Sequence, residues 1–313
     1  MSTLLIASLE PREGRTTVAA GLGALLADGG RSVRLLRLRA AAGADAPAED
    51  DARALAVVPG CDAPQGAVTE QDALAQAKDG VSIVEAAAGM PGDLVSRLSA
   101  RVVLVSARAD EARQADLASA ASALGAAFLG AVVTRQQPRR LLPVRAALES
   151  RGVRCLAVLP EDRQLAGPTV REMAEALHAS RLVDRGDEDE AVEYVMLGPI
   201  SADPGQPYFL DHAHKAVINR FDKMDLHLAA LATDPACLIL TGGRPPSPYL
   251  IDRVQGSEAD VTVLSVPDNT VRTIEVLDDM LGRTRFSGRR KVDRAAALMR
   301  EHADKDALIQ ATN

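Results

Sequence analysis

The chain has 313 residues, of which 47% are apolar and only 2% aromatic, with no Trp. That length suggests about two domains, and the core has to be built from Ala, Val and Leu. A formal net charge of -7 and the scarcity of aromatics argue against a basic nucleic-acid or anionic-lipid surface and against base-stacking platforms.

Cys61, Cys155 and Cys237 are odd in number and lack metal-ligand spacing, so reduced, buried, structural thiols are expected. No window approaches the ~20 apolar residues of a membrane span, and the expected setting is cytoplasmic.

Strand-like runs alternate with Ala-rich helical stretches through the first half. Strands are expected over 4–8, 33–36, 81–84, 102–105, 128–133 and 155–159, and helices over 17–27, 110–124 and 143–150. Strands this apolar require cover on both faces, which means a parallel, doubly wound α/β sheet with right-handed crossovers. Residues 40–54, rich in Ala, Gly, Asp and Glu, read as a loop. A helix over 170–179 is expected to close a first domain spanning 1–183.

Residues 184–190 hold five acids in seven positions and read as a solvated linker, assigned to 184–191. A smaller α/β unit over 192–288 follows, with strands at 193–197, 215–219, 237–240 and 261–266 and helices at 226–232, 247–255 and 270–281. The tail, 289–313, reads as a charged amphipathic helix over 291–309.

The chemistry concentrates between the first strand and the first helix. There Ser8-Leu9-Glu10-Pro11-Arg12-Glu13-Gly14-Arg15-Thr16-Thr17 has the layout of a phosphate-binding loop with Arg in place of its Lys. Such a loop curls backbone N–H groups and a helix N-terminus around phosphate oxygens, while a Lys reaches the terminal phosphates and the next hydroxyl binds Mg²⁺. Gly14, Thr16 and Thr17 supply several of these parts. Arg15 brings charge on a broad planar group, which is not equivalent. Glu13 adds an anion that disfavours phosphate unless it points to solvent, and Pro11 removes a donor. A plain strand-to-helix turn capped near Thr16 or Thr17 stays open as the alternative. Glu85, at the end of the third long strand, reads either as a Mg²⁺ ligand facing the loop or as a surface carboxylate.

These residues resemble a known arrangement. The first domain resembles the dethiobiotin-synthetase-like P-loop family and the second resembles the DRTGG domain. The pair is similar to the BioD-like phosphotransacetylase family, over roughly 1–280. The resemblance implies a loop of the form Ser-Thr-Glu-Pro-x-x-Gly-Lys-[Ser/Thr], so Glu10 and Pro11 are family features while Leu9, Glu13 and Arg15 depart. It implies a Lys-Pro pair where Arg37-Leu38 stands, Glu-Gly-x-Gly where Glu85-Ala86-Ala87-Ala88 stands, and Asn-Arg where Thr134-Arg135 stands. Glu161-Asp162 falls in the family's closing Pro-Glu-Asp segment. In the second domain Asn219-Arg220 occupies the place of Asp-Arg, and Thr241-Gly242-Gly243 matches the namesake Thr-Gly-Gly; Asp268-Asn269-Thr270 resembles a further Asp-Thr pair. The glycine pair allows ligand contact, fold closure or a dimer contact.

Glu10, Gly14, Arg15, Thr16, Thr17, Arg37 and Thr134 are thus the candidate nucleotide contacts, with Thr16 and Glu85 as Mg²⁺ ligands if ATP or another nucleotide binds. No catalytic residue is assigned. His212 and His214 share one face of an extended segment but lack a third ligand nearby, so a solvated loop is expected. The expectation is a nucleotide-sensing, regulatory or scaffold protein with weak or no NTP hydrolysis and no acetyl transfer, forming a homodimer or joining a metabolic enzyme. The alternatives are an ATP-dependent ligase of the dethiobiotin-synthetase type, acting on a carboxylate or carbamate, and a structural subunit that binds nothing.

Overall fold

The computed structural model describes residues 2–39, 46–76, 80–87, 89–90, 92–199 and 208–312. The chain forms two compact units, Met1–Asp162 with Arg285–Asn313, and Arg163–Thr284.

The first unit is built on seven parallel strands: β1 (Ser2–Ala7), β2 (Val33–Arg37), β3 (Cys61–Asp62), β4 (Val81–Glu85), β5 (Arg101–Ser106), β6 (Phe128–Gln136) and β7 (Cys155–Pro160). Their spatial order is β3-β2-β4-β1-β5-β6-β7. Leu4, Leu5, Ile6 and Ala7 of β1 are all buried, as a strand covered on both faces must be. On one face Leu5, Leu36, Val84 and Leu104 pack with Leu117 and Leu148 of helices α5 (Glu111–Leu124) and α6 (Leu141–Ser150). The other face carries α1 (Arg15–Asp28) and α12 (Arg289–His302). The doubly wound parallel architecture expected from the sequence is present.

Several boundaries differ from expectation. Residues 46–55, read as loop, form helix α2 (Ala46–Leu55), with Ala48 and Ala52 buried against Ala67; residues 40–45 lie outside the described set. The two-residue β3 and helices α3 (Glu70–Gln76) and α4 (Leu94–Arg97) carry too few residues for a pattern to reveal them. The tail is two helices, α12 and α13 (Lys305–Ala311), and it belongs to the first unit. Val292, Ala295, Ala296 and Met299 recur at helical spacing on the buried side of α12. They meet α1 where a Cβ on Gly21 would lie 2.4 Å from Met299 Cγ and 2.8 Å from the carbonyl oxygen of Ala295. Small residues in α1 therefore let two helix backbones approach closely.

The second unit is a five-stranded sheet, ordered β8-β12-β11-β10-β9. β9 (Tyr194–Leu197), β10 (Lys215–Arg220), β11 (Cys237–Thr241) and β12 (Thr262–Ser265) are parallel, while β8 (Ser180–Asp184) pairs antiparallel with β12. Helices α8 (Val170–Ala176) and α11 (Thr270–Met280) cover one face, and α9 (Met224–Leu231) and α10 (Pro248–Gln255) the other. The helix at 170, expected to close the first domain, instead contributes Val170 and Met173 to this core. The acidic run is not a free linker either. Asp184 ends β8, and Glu188 and Asp189 pair with Arg171 at 2.6 and 3.3 Å.

All three cysteines are free, with Cys61 only half-buried. Burial pushes the Cys155 thiol up to about 11, which suits inert structural thiols. His212 stacks on Tyr194, centroids 3.9 Å apart, and His214 Nδ1 meets Glu190 at 3.0 Å, so the two rings do not converge. No helix among the described residues is long and apolar enough to cross a membrane.

Filling the Gly21 notch is expected to destabilise the first unit. Gly21→Leu should lower unfolding free energy by about 1–3 kcal/mol through overpacking, despite the better helix propensity of Leu. Urea denaturation checks this; an unchanged midpoint would mean that α12 does not rest there.

Candidate functional site

The loop between β1 and α1 lies at the carboxyl end of the central strand, where the chain turns from building one side of the sheet to building the other. Open α/β sheets bind ligands at such points. Gly14 caps α1 with φ +92°, a left-handed conformation that a side chain resists. A Cβ there would also crowd Thr134 Oγ1, at 3.3 Å. No side chain caps the N-terminus of α1, and its first turn holds no acid. The N–H groups of the first turn are thereby left available to an anion.

The loop is pinned from outside. Thr134 Oγ1 donates to the Glu13 carbonyl oxygen at 3.0 Å. Glu13 is 4% exposed. It points neither to solvent nor at a free donor of the loop: its carboxylate accepts from the backbone N–H of Ala107 and lies 3.6 Å from Arg113 Nη2. That guanidinium also holds Glu10, at 2.6 Å. Both loop acids are thus neutralised by one buried Arg on α5, an anchor the sequence reading missed. Gly89 N–H donates to the Ser8 carbonyl oxygen at 2.8 Å, tying in the segment after β4.

Inside the loop lies a buried charge cluster. Thr16 Oγ1 donates to Glu85 Oε1 at 2.9 Å. Arg37 Nε stands 3.4 Å from the same oxygen and 3.1 Å from Asp51 Oδ2, while its Nη1 donates to the Leu38 carbonyl oxygen. Arg15 Nε is 3.7 Å from Glu85 Oε1, and its Nη1 donates to Ser8 Oγ at 2.6 Å. The structure thus brings Arg15, Thr16, Arg37 and Glu85 together and adds Ser8 and Asp51. Asp51 escaped the sequence reading because its segment looked like a loop; the Asp50-Asp51-Ala52-Arg53 stretch of a helix was the available signal.

Two polar atoms of this cluster, Glu85 Oε2 and Arg15 Nε, are buried without a hydrogen-bond partner. Burial pushes the Glu85 carboxyl up to about 7; the Asp51 charge adds to the rise, and Arg37, Arg15 and the Thr16 hydroxyl oppose it. Burial likewise raises Asp51 and lowers Arg15. No group of three or more His, Cys, Asp or Glu suited to a metal ion occurs among the described residues. Thr17 makes no side-chain hydrogen bond among the described residues.

In the second unit the motif residues are held by one another. The N–H groups of Gly242 (φ +106°) and Gly243 (φ +65°) donate to the carbonyl oxygens of Asp268 and Val266 at 2.8 and 3.0 Å. Thr241 Oγ1 bonds Thr270 Oγ1 at 2.8 Å, and Arg220 is paired with Asp222. The glycine pair therefore turns the chain against the segment leading to α11, with its donors already used. Asn219 is 2% exposed, and neither amide atom meets a partner.

Residues 172–280 match the DRTGG domain family. A stretch of 161 residues is 30% identical to the phosphate acetyltransferase of Nitratidesulfovibrio vulgaris, covering 48% of this chain and 22% of that protein. Among solved structures, the MinC:MinD cell division protein complex of Aquifex aeolicus aligns with 53% of this chain and 84% of its own, at 16% identity and TM-score 0.38. The CBS and DRTGG domains of the regulatory region of Clostridium perfringens pyrophosphatase, complexed with the activator diadenosine tetraphosphate, align with 53% of this chain and 85% of that one, at 12% identity and TM-score 0.31.

A parallel sheet with a glycine-capped loop on its central strand makes the first unit a P-loop-type α/β domain. The chain joins it to a unit that matches the DRTGG domain family over residues 172–280, the two-part arrangement expected from the sequence. It spans about a fifth of the length of the phosphate acetyltransferase it matches.

Two measurements test the cluster. The Glu85 carboxyl is raised by folding from an ordinary value near 4.5 to about 7, so the folded state holds more protons in that window. Stability contributed by this group is full below pH ~4.5 and falls as pH rises through about 7. The stability difference between wild type and Glu85→Gln should shift against wild type across that range in parallel thermal melts; a flat difference would contradict the raised value. Arg37→Met strips a buried carboxylate of its nearest cation and should cost about 3–5 kcal/mol in denaturant unfolding at pH 8.

Proposed function

We propose that the chain is a nucleotide-responsive regulatory or scaffold protein whose P-loop-type site receives phosphate without Mg²⁺-dependent turnover. The observation that carries this reading is the placement of the Arg37 and Arg15 guanidiniums 3.4 and 3.7 Å from the carboxylate oxygen that already accepts from Thr16. In a working loop that hydroxyl and a strand-end acid serve a metal. Here the hydroxyl proton is committed to the acid, and two cations flank the oxygen. At an effective dielectric of about 20, like unit charges some 4 Å apart repel by about 4 kcal/mol, and a divalent ion doubles that for each guanidinium. Glu85 and Asp51 balance the two arginines, so the cluster offers a divalent ion no net attraction. The residues present do not fit Mg²⁺.

The open first turn of α1 supports the anion side of the reading. The ligand class is a nucleotide such as ATP, and the output is a change in how the chain engages itself as a homodimer or a metabolic enzyme partner.

Isothermal calorimetry with ATP, ADP and GTP, with and without Mg²⁺, provides the test. Binding is expected, with turnover far below the ~1–1,000 s⁻¹ of ordinary enzymes, and Arg15→Lys should raise it. Rapid Mg²⁺-dependent hydrolysis by the wild type, lost in Arg15→Ala, would overturn the reading.

A further inference from the structure

Formal charge is divided unevenly between the two units. Met1–Asp162 with Arg285–Asn313 holds 25 Lys and Arg against 23 Asp and Glu, a net +2, while Arg163–Thr284 holds 11 against 20, a net -9. A chain that is strongly acidic in one unit and slightly basic in the other attracts copies of itself.

Two exposed patches concentrate this asymmetry. On the first unit, Arg139 and Arg140 stand directly before α6, and both are exposed. Arg139 Nε donates to the neutral side chain of Gln137 at 3.2 Å. Neither guanidinium is paired with a carboxylate among the described residues. On the second unit, Asp278 and Asp279 lie exposed in the last turn of α11, and neither is paired with a cation among the described residues. The neighbouring Arg272 is committed to Glu275 at 3.0 Å. Each pair of charges also sits at the helix end that repels it. No acid in the first turn of α6 offsets its arginines, and no base in the last turn of α11 offsets its aspartates. Neither helix relieves its own patch.

Beside each patch lies a bare apolar side chain. Leu142, 78% exposed, and Val271, 67% exposed, are the two most exposed large apolar side chains among the described residues. Leu142 is two positions past Arg140. Val271, Glu275 and Asp278 recur at helical spacing on the outer face of α11, while Thr273 and Leu277 are buried on its inner face. The two surfaces therefore match in kind: two cations and an apolar group against two anions and an apolar group. An apolar contact with a charged rim is the usual make-up of a protein interface.

We propose that the Arg139, Arg140 and Leu142 surface of one copy docks on the Val271, Asp278 and Asp279 face of α11 in a second copy. The guanidiniums meet the carboxylates, Leu142 meets Val271, and the two mismatched helix ends offset one another. The occupant is a second copy because the chain itself supplies the complementary charge and apolar group. This contact gives a surface to the self-association proposed above and does not depend on nucleotide binding.

Sedimentation velocity on the full chain without nucleotide, over the micromolar range, provides the test. Self-association is expected in 0.1 M NaCl and should be about 10-fold weaker or more in 1 M, as the screening length falls from about 10 Å to about 3 Å. Arg139→Glu with Arg140→Glu, and separately Asp278→Arg with Asp279→Arg, should each weaken it about 10-fold or more, because attractive pairs become repulsive. Both double variants should melt no lower than wild type, since the reversed charges suit their helix ends. Mixed together, the two variants regain opposite charge across the contact and should associate about as tightly as wild type. A monomer at every concentration, association that both reversals leave unchanged, equal association in 1 M salt, or reversed variants that ignore each other would each overturn the surface. None of these results bears on phosphate binding, which calorimetry reads separately.

Discussion

The pairing of two guanidiniums with one buried strand-end carboxylate governs the rest of the first unit's site. Glu85 is 1% exposed and reaches the loop from the strand next to β1. A lone carboxylate in that position would be strongly disfavoured by lost hydration. Arg37, one strand further out, and Arg15, at the start of α1, make its burial tolerable, and Thr16 orients it. The cluster joins β2, β4, the loop and α2 through Asp51. It closes the phosphate turn from within, using side-chain cations where a metal-dependent site would place an ion.

This arrangement separates two properties that phosphate loops normally combine. Backbone geometry, with its left-handed Gly14 and uncapped helix, favours an anion. The side chains beneath, with equal numbers of guanidiniums and carboxylates, hold no surplus attraction for a divalent cation. Glu10 and Glu13 would oppose an anion if they faced the turn, but Arg113 withdraws them.

The second unit follows a different rule. Its Thr-Gly-Gly turn spends its backbone donors on the segment entering α11, so the glycines answer a packing need. Among the described residues of this unit, the Asn219 amide, His227 Nδ1 and Thr262 Oγ1 are buried without a hydrogen-bond partner, against the general rule that such groups are satisfied.

Strand alternation, the Ala-rich helices and the glycine before α1 were legible from residue order, because hydrophobic period and backbone freedom are local properties. So was the altered loop, since Arg15 for Lys is visible by position alone. Helix α2 was not, because its buried stripe, Ala48, Ala52 and Leu55, is built mostly of small residues set among acids that also suit a loop, and its burial comes from contact with Ala67. Glu13 was legible as an anion but not as one turned toward Arg113, which lies 100 positions along the chain. The docking of the tail on Gly21 was hidden for the same reason. Sequence by itself fixed which charges this protein owns and where its backbone can bend. Only the tertiary structure decided which charge neutralises which, because pairing energy depends on separation and burial, and both arise when distant segments meet at one edge of a sheet.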